Sequence, residues 1–393
     1  MMPSAQPTKT PFGLVLALWF AGLTAAAQFA KISVIFPLLQ DVYPQAGTSI
    51  GFLVSLLSFL GIALGLVAGL LVARIGFRRM LISALLLGAA MSAFQATLPA
   101  FPLMLASRVL EGLSHLAIVV AAPTLIAQIS TDAHRPMAMT LWGTFFGVAF
   151  ALVAWFGTPL VEAYGPPGLF LAHSAAMITI AGVLILRLPQ IDNSDNKETP
   201  LSWRLVVQRH VEIYTSPAMA APAMGWLFYT FTFVSLLTLL PGYVAEPARA
   251  FTLAAMPLAS IVSSMTIGVA LLRVTSAVNV ILIGFVASIA VAFALILSPG
   301  NAALCITLFA TLGLVQGASF AAVPQLNESA DHRAYANGAL AQTGNLGNGI
   351  GTPILLTILA AGGFTSMMVT VIACYALGFG AHIWLARMRA NQR

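Results

Sequence analysis

Long apolar segments follow one another through almost the whole chain, and they constrain its fold more than any other feature. Most are at least about 20 residues long, which is the length that an α-helix needs to cross a bilayer. Only 7% of the 393 residues are charged, whereas a soluble domain has roughly 25%. Because a chain inside a bilayer must satisfy its backbone polar groups internally, the pattern predicts an all-α polytopic membrane protein.

The spacing of Pro, Gly and charged residues divides the apolar sequence into twelve predicted transmembrane helices. They are predicted at residues 12–36, 49–72, 80–98, 101–127, 137–162, 168–187, 218–240, 250–272, 277–298, 301–326, 336–361 and 364–386. An even number of spans places both termini on one side of the membrane. Most of the 17 Lys and Arg residues fall on that side, so the positive-inside rule predicts that both termini are cytoplasmic.

Short sequence matches indicate an internal duplication. The basic segment 69–79 joins the second and third predicted spans, and a shorter version of it, 268–273, lies at the end of the eighth. The segments 132–135 and 331–333 contain Asp, His and Arg in the same order after the fourth and tenth spans. These matches predict two pseudo-symmetric bundles of six helices each.

The longest polar stretch, 189–216, lies between the sixth and seventh predicted spans. It predicts a cytoplasmic linker between an N-terminal half at 1–188 and a C-terminal half at 217–393. Within this linker, the segment 203–213 has an amphipathic pattern, which predicts a helix along the membrane surface.

The basic segment resembles the signature loop of the major facilitator superfamily of secondary transporters, whose form is Gly-x-x-x-Asp-Arg-x-Gly-x-Arg-Arg. The matching places are filled by Gly69, Arg74, Gly76, Arg78 and Arg79, and the resemblance implies that these residues form a gating loop. Ala73 occupies the acidic position. This departure weakens the ion pair that the family forms between this loop and neighbouring helix ends.

A second resemblance to this family lies in the fourth span. Arg108 and Gly112 match an Arg-x-x-x-Gly motif whose arginine is often linked to proton coupling in the family. The Gly-Pro-x-x-Gly-Gly pattern of its antiporters is not present in the fifth span, at 143–150. The resemblance covers essentially the whole chain. It implies the superfamily fold, alternating access around a cavity lined by spans one, four, seven and ten, and a monomer as the working unit.

Ionisable side chains inside the predicted spans are few, and each costs roughly 2.5 to 3.5 kcal/mol at the bilayer centre on insertion scales. Gln28 and Lys31 share one face of the first span. Arg108, Glu111 and His115 share one face of the fourth span. Two polar faces on different helices are most easily satisfied around a shared aqueous cavity. We therefore predict that Gln28, Lys31 and Arg108 bind the substrate, and that Glu111 and His115 serve proton coupling.

Structural alternatives stay open for these residues. Lys31 can extend towards Asp41 at the membrane interface. Arg108 can form a structural ion pair with Glu111, one turn away on the same helix. His115 can be simply hydrogen-bonded. A further histidine, His173 of the sixth span, is predicted to be a packing residue, because the resemblance implies that this helix is peripheral.

Neutral side chains complete the predicted substrate site. Trp142 and Phe146 of the fifth span, with Trp226 and Tyr229 of the seventh, are predicted to shape the substrate. The predicted hydrogen-bonding amides are Gln316, Gln342 and Asn345 of the tenth and eleventh spans. Core packing is the alternative for the aromatic residues, and interhelical hydrogen bonding is the alternative for the amides.

The charge of the predicted site indicates its substrate. Lys31 and Arg108 outnumber Glu111, and a surplus of positive charge favours a carboxylate. The sequence therefore predicts a secondary active transporter of the inner (cytoplasmic) membrane that imports a small organic anion with protons. The alternative is a proton-driven exporter of amphipathic or drug-like compounds.

Other functional classes have less support in the sequence. An enzyme would need a convergent cluster of His, Asp or Cys residues near an interface, so no enzyme activity, cofactor or metal site is predicted. The Lys and Arg residues are scattered among loops rather than gathered in one stripe, and no nucleic-acid partner is predicted.

Overall fold

The computed structural model describes residues 9–62, 64, 75–188 and 203–391, and in these residues the regular secondary structure is helical throughout. Within these residues, ten helical segments are long and apolar enough to cross a membrane. Two of them, Phe145–Arg187 and His332–Ala390, have 43 and 59 residues and are long enough to cross twice. Each contains one glycine at positive φ, which is 68° at Gly165 and 72° at Gly363. Since helical residues do not adopt this conformation, each segment comprises two spans.

The described residues therefore form the twelve transmembrane helices that the sequence predicts. We number them α1 (Phe12–Ser33), α2 (Pro44–Ile62), α3 (Phe77–Gln95), α4 (Phe101–Ile129), α5 (135–164), α6 (166–187), α7 (Pro217–Tyr243), α8 (Glu246–Leu272), α9 (Ala277–Leu297), α10 (Ala302–Leu326), α11 (332–362) and α12 (364–390).

Two of the predicted spans are interrupted in the structure. The first span was expected to continue to residue 36, but α1 ends at Ser33 and a separate short helix, Phe36–Val42, follows. Pro37 lies in the first turn of that short helix, where its missing N–H group does no harm, whereas in a continuous helix it would remove a hydrogen bond. In α5, Thr144 separates Arg135–Gly143 from the rest of the span.

Several helices in the second part of the chain begin with an N-cap. The side chains of Ser216, Ser276, Asn301 and Ser329 accept a hydrogen bond from a backbone N–H in the first turn of α7, α9, α10 and α11, respectively. Such caps satisfy donors that have no partner within the helix. The polar residues between the apolar segments therefore fix where these spans start.

The loops that follow α4 and α10 share an interaction as well as a sequence. Arg135 donates from Nε to the carbonyl of Ala127 (2.9 Å) and from Nη2 to that of Ser130 (3.3 Å). Arg333 donates from Nε to the carbonyl of Asn327 (2.9 Å). In each loop, an arginine thus binds carbonyl groups at the end of the preceding helix.

The described residues group into two compact units. The first contains those of 1–32 and 67–198, and the second contains those of 33–66 and 199–391. The core of the first unit includes the fully buried side chains of Leu18, Leu81, Leu125 and Leu184, which come from α1, α3, α4 and α6. These four helices carry the polar side chains described below.

In the second unit, α11 lies close to both α2 and α7. Ser55 of α2 donates a hydrogen bond to the carbonyl of Asn348 (3.1 Å). A Cβ atom at Gly351 would lie only 2.0 Å from the carbonyl oxygen of Phe231 in α7. Glycine therefore permits the close approach of α7 and α11. The linker segment predicted to be amphipathic also forms a helix, Trp203–Thr215, which we call the linker helix.

Candidate functional site

Three buried charged side chains meet in the first unit. Lys31 comes from α1, whereas Arg108 and Glu111 come from α4, and all three side chains are 0% exposed. Lys31 Nζ lies 2.7 Å from Glu111 Oε1, and Arg108 Nη1 contacts Glu111 Oε2. Each oxygen of one carboxylate is therefore bound by a different cation. We call these three residues the charge cluster.

These contacts decide between the alternatives that the sequence left open. Lys31 does not reach towards Asp41, because its ammonium is fully buried against Glu111. Arg108 does form the ion pair with Glu111 that helical spacing allows. If all three groups are ionised, two cations and one carboxylate leave a net charge of +1. A buried charge is tolerated only with good hydrogen bonding around it.

That hydrogen bonding comes from α1 and α3. Gln95 Nε2 donates to Glu111 Oε2 at 2.8 Å, and Arg108 Nη2 donates to the backbone carbonyl of Gln28 at 2.9 Å. The Gln28 side chain itself donates to Ser114 Oγ at 3.0 Å. In the described part of the chain, the buried Oε1 atoms of Gln28 and Gln95 have no hydrogen-bond partner. Two acceptors beside the cluster are thus unoccupied by protein donors.

The structure corrects the prediction for His173, which is not a simple packing residue. Its Nδ1 lies 3.4 Å from Lys31 Nζ and 2.9 Å from Ser92 Oγ. Its Nε2 lies 2.9 Å from the carbonyl oxygen of Thr24 in α1. The expectation failed because the superfamily resemblance describes where a helix lies, but not which of its faces turns inward.

Ser92 and Gln95 were also missed by the sequence analysis. Ser92 Oγ accepts a hydrogen bond from Lys31 Nζ at 2.7 Å. The two residues are three positions apart in an otherwise apolar stretch of α3, so they share one helical face. The same spacing rule that identified the polar faces of α1 and α4 would have identified this one.

His115 lies one turn beyond Glu111 and is hydrogen-bonded. Its Nδ1 is 3.0 Å from the carbonyl oxygen of Ala25, and its ring meets that of Phe29 edge-on at 5.1 Å. The carbonyl group accepts, so Nδ1 carries the proton in this contact. A role in proton coupling stays a prediction for His115.

The two aromatic residues predicted in α5 differ in their surroundings. Phe146 lies 5.8 Å from Phe29, which in turn contacts His115, so it continues the wall beside the charge cluster. Trp142 stacks on Phe145 at 4.5 Å and belongs to the apolar core of the first unit. Its environment resembles ordinary packing more closely than that of Phe146 does.

The remaining predicted site residues belong to the second unit. Trp226 stacks on Tyr229 at 4.7 Å, and Tyr229 contacts Phe233 at 4.9 Å. Gln316 Oε1 accepts a hydrogen bond from Ser260 at 3.0 Å. Asn345 donates to the carbonyl of Ala341 in its own helix at 2.9 Å. Trp226 and Tyr229 thus form one aromatic surface on α7.

Gln342 binds the linker helix. Its Oε1 accepts from the Tyr214 hydroxyl at 2.9 Å, and its Nε2 lies 3.0 Å from His210 Nε2. Burial raises the pKa of Tyr214, so this hydroxyl stays a neutral donor at physiological pH. Both polar ends of the Gln342 amide are therefore engaged by protein groups.

Part of the predicted gating loop can be located. Gly69 and Arg74 lie outside the described residues. Gly76 has φ 88° and immediately precedes α3. Arg78 donates to the carbonyls of Leu188 (3.0 Å) and Ile185 (3.1 Å) at the end of α6. Arg79 is exposed.

Comparison with known proteins gives one family and several related folds. The sequence model of the Major Facilitator Superfamily matches residues 18–352. No curated protein sequence matches this chain. A bacterial homolog of the human lysosomal transporter Spinster, in an inward-facing and occupied conformation, is 16% identical with a TM-score of 0.75, over 96% of this chain and 97% of that chain.

A second related structure is the Major Facilitator Superfamily transporter FucP in the outward conformation. It is 17% identical with a TM-score of 0.66, over 95% of this chain and 98% of that chain. A further structure of FucP, described as the E. coli fucose:proton symporter, is 18% identical with a TM-score of 0.64, again over 95% of this chain and 98% of that chain. At these identities the structural likenesses establish the fold alone.

Proposed function

Because the chain belongs to the major facilitator superfamily of secondary transporters, we propose that it imports a small organic anion together with protons. In this proposal Lys31 and Arg108 bind the anion, Glu111 carries the coupling proton and His115 assists it. The membrane is the inner membrane, with both termini in the cytoplasm. The working unit is the monomer.

One observation carries the proposal, which is that a single carboxylate is bound by two buried cations. Glu111 occupies the position between Lys31 and Arg108, with an amide N–H of Gln95 on the same oxygen as Arg108. The donors that hold the carboxylate of Glu111 suit the carboxylate of a substrate equally well. The charge cluster is thus a carboxylate-binding site that the side chain of Glu111 itself occupies.

The charge balance explains how a proton and an anion would be carried together. With Glu111 ionised, the cluster holds two positive charges and one negative charge, a net +1. If Glu111 takes up a proton and leaves the two cations to a substrate carboxylate, the cluster again holds two positive charges and one negative charge. Because the two states bury the same net charge, loading leaves the net charge that the protein holds away from water unchanged.

Neutral residues would select the rest of the substrate. We assign Gln28 and Phe146 in the first unit to its shape and hydrogen bonding, and Trp226, Tyr229 and Gln316 in the second unit to the same task. Trp142 and Asn345 are secondary candidates, because packing and an intrahelical hydrogen bond account for their contacts. Gln342 is the weakest candidate, because the linker helix already occupies its amide.

A second candidate function is the proton-driven export of amphipathic or drug-like compounds. The aromatic side chains Trp226, Tyr229 and Phe233 on α7 favour it, because aromatic rings suit an amphipathic ligand. Phe233 also contacts Phe309 of α10 at 4.9 Å. The direction of flux separates the two candidates. An importer takes up protons with its substrate, whereas an exporter exchanges protons for it.

The proposal is tested by uptake of radiolabelled lactate, succinate and benzoate into proteoliposomes under an imposed pH gradient. We expect Glu111→Gln to abolish gradient-driven accumulation while counterflow exchange of the same anion persists. Glu246→Gln is a matched control, because Glu246 forms an ion pair with Arg249 at the same three-residue spacing but is exposed. If Glu111→Gln accumulated the anion as the wild type does, the coupling role would be wrong.

A further inference from the structure

We infer that His173 is a positioning residue that holds the Lys31 ammonium in place for an incoming carboxylate. The inference rests on the proposed function for the nature of the ligand. It begins from the contacts that α6 makes with Lys31. His173 Nδ1 lies 3.4 Å from Lys31 Nζ, and the Phe170 ring centroid lies 5.4 Å from the same atom.

Ser92 adds an indirect contact from α6. Its hydroxyl accepts a hydrogen bond from Lys31 Nζ at 2.7 Å and lies 3.0 Å from the Phe170 carbonyl oxygen, to which it can donate. One turn of α6 therefore surrounds the lysine with an imidazole nitrogen, an aromatic face and a carbonyl-bound hydroxyl. A peripheral helix that only packed against its neighbours would present apolar side chains here.

The hydrogen bond to Thr24 fixes the proton on the His173 ring. A backbone carbonyl only accepts, so Nε2, at 2.9 Å from the Thr24 carbonyl oxygen, carries the N–H group. In the neutral ring, Nδ1 then has one lone pair. Ser92 Oγ is the nearer donor to it, at 2.9 Å, but when that hydroxyl donates to the Phe170 carbonyl the lone pair is available to Lys31 Nζ at 3.4 Å. The ring is thus anchored to the α1 backbone at one edge and accepts from the α1 lysine at the other.

This arrangement matters when Glu111 changes its contacts. An ammonium group has three N–H donors, and its acceptors here are Glu111, Ser92 and His173. When Glu111 leaves, the other two acceptors still hold the flexible lysine side chain with one donor directed to the vacated position. The lysine is then already in place for a substrate carboxylate.

Two substitutions distinguish the contact of His173 Nδ1 with Lys31 from the contact of Nε2 with Thr24. In His173→Asn the amide reaches about as far as Nδ1, so an acceptor for Lys31 is kept and the contact with Thr24 is lost. In His173→Gln the amide reaches about as far as Nε2, so the contact with Thr24 is kept and the acceptor for Lys31 is lost. We expect the glutamine variant to raise KM for the transported carboxylate about tenfold, as expected when a hydrogen bond to a charged group is lost.

The asparagine variant should keep KM close to that of the wild type. In the glutamine variant the maximal rate should change less than KM does. His382→Gln is the matched control, because His382 is an equally buried histidine of α12 in the second unit, and its KM should not change. A purely structural role for His173 would make the asparagine and glutamine variants equivalent in KM. That result would overturn the inference.

A double-mutant cycle of thermal unfolding tests the contact without any substrate. His173→Gln should lower the unfolding midpoint clearly in the wild-type background and little in the Lys31→Met background. In the Ser92→Ala background, where the other neutral acceptor is lost, it should lower the midpoint more than in the wild type. Additive effects in both cycles would overturn the inference.

The transport assay and the thermal-unfolding cycles test the proposed function and the role of His173 separately. If the wild type transports none of the three carboxylates but the cycles show coupling, the proposed substrate class is wrong while the positioning of Lys31 stands. If the carboxylates are transported and the cycles are additive, the proposed function stands and the role of His173 falls. The Ser92 cycle and the comparison of the two His173 variants remain informative even if Lys31→Met does not fold.

Discussion

Single residues in the charge cluster differ in what their removal leaves behind. Without Lys31, the Arg108–Glu111 pair remains with one charge of each sign. Without the charge of Glu111, two buried cations remain with no anion between them. Removing one partner of a buried ion pair typically costs about 3 to 5 kcal/mol, because an uncompensated charge is left in a dry site.

We therefore expect Glu111→Gln to lower the free energy of unfolding by about 3 kcal/mol or more, and Lys31→Met to lower it by clearly less. Thermal unfolding in detergent shows which of the two variants is the less stable. Acetate should raise the unfolding midpoint of Glu111→Gln part of the way back to that of the wild type, because the acetate carboxylate can occupy the position between the two cations. Acetate should not do so when Lys31→Met is added to that variant.

A reversed order of the two variants, or no response of Glu111→Gln to acetate, would contradict a carboxylate site between Lys31 and Arg108. The comparison needs no knowledge of the natural substrate. It also separates the site from the transport cycle, since it is made on the protein at equilibrium.

The sequence predicted part of this cluster for a simple physical reason. Spacings of three and four residues place side chains on one helical face, and this identified the polar faces of α1 and α4. That the two faces bind each other through Lys31 and Glu111 depends on how the helices rotate and pack. The contribution of His173 depends on the inward face of α6. The sequence does not reveal this face, because no polar residue lies three or four positions from His173 in that helix.

At the scale of helices, hydropathy predicted the number and order of the spans, because bilayer thickness sets their length. Breaks within and between spans were less predictable. A turn such as the one at Gly165 requires a positive φ, and many other glycines in this chain lie within regular helices. Residue type alone therefore does not indicate which glycine ends a helix.

The contact between α7 and α11 gives a prediction about helix packing. Gly351→Ala should destabilise the protein by about 1 to 3 kcal/mol, because the new Cβ would lie 2.0 Å from the Phe231 carbonyl oxygen and force the helices apart. Gly380→Ala in α12 is the control, because a Cβ there meets no described atom within 4 Å. It should be neutral or slightly stabilising.

Thermal unfolding of the two glycine variants checks this expectation. Equal midpoints would mean that α7 and α11 can separate freely at Gly351. The result bears on transport as well, because a loss of stability without loss of counterflow would assign Gly351 to packing alone.

At the scale of the whole molecule, the fold and the superfamily follow from the apolar spans and the loop motifs, and the family match and the related folds agree with both. The division into halves at the linker stays a prediction. The compact units assign the described residues of 33–66 to the second unit, where Ser55 of α2 binds α11. Sequence order does not reveal such a contact, because it joins helices that are far apart in the chain.

The central claim is that a carboxylate and a proton enter together through one charge cluster. The most direct test is to measure lumenal pH with a trapped dye in proteoliposomes while lactate, succinate or benzoate is added outside. We predict lumenal acidification with a transported monocarboxylate, at a rate that is independent of membrane potential because one proton and one negative charge move together. Alkalinisation during entry of the anion, or entry with no change in pH, would contradict the claim.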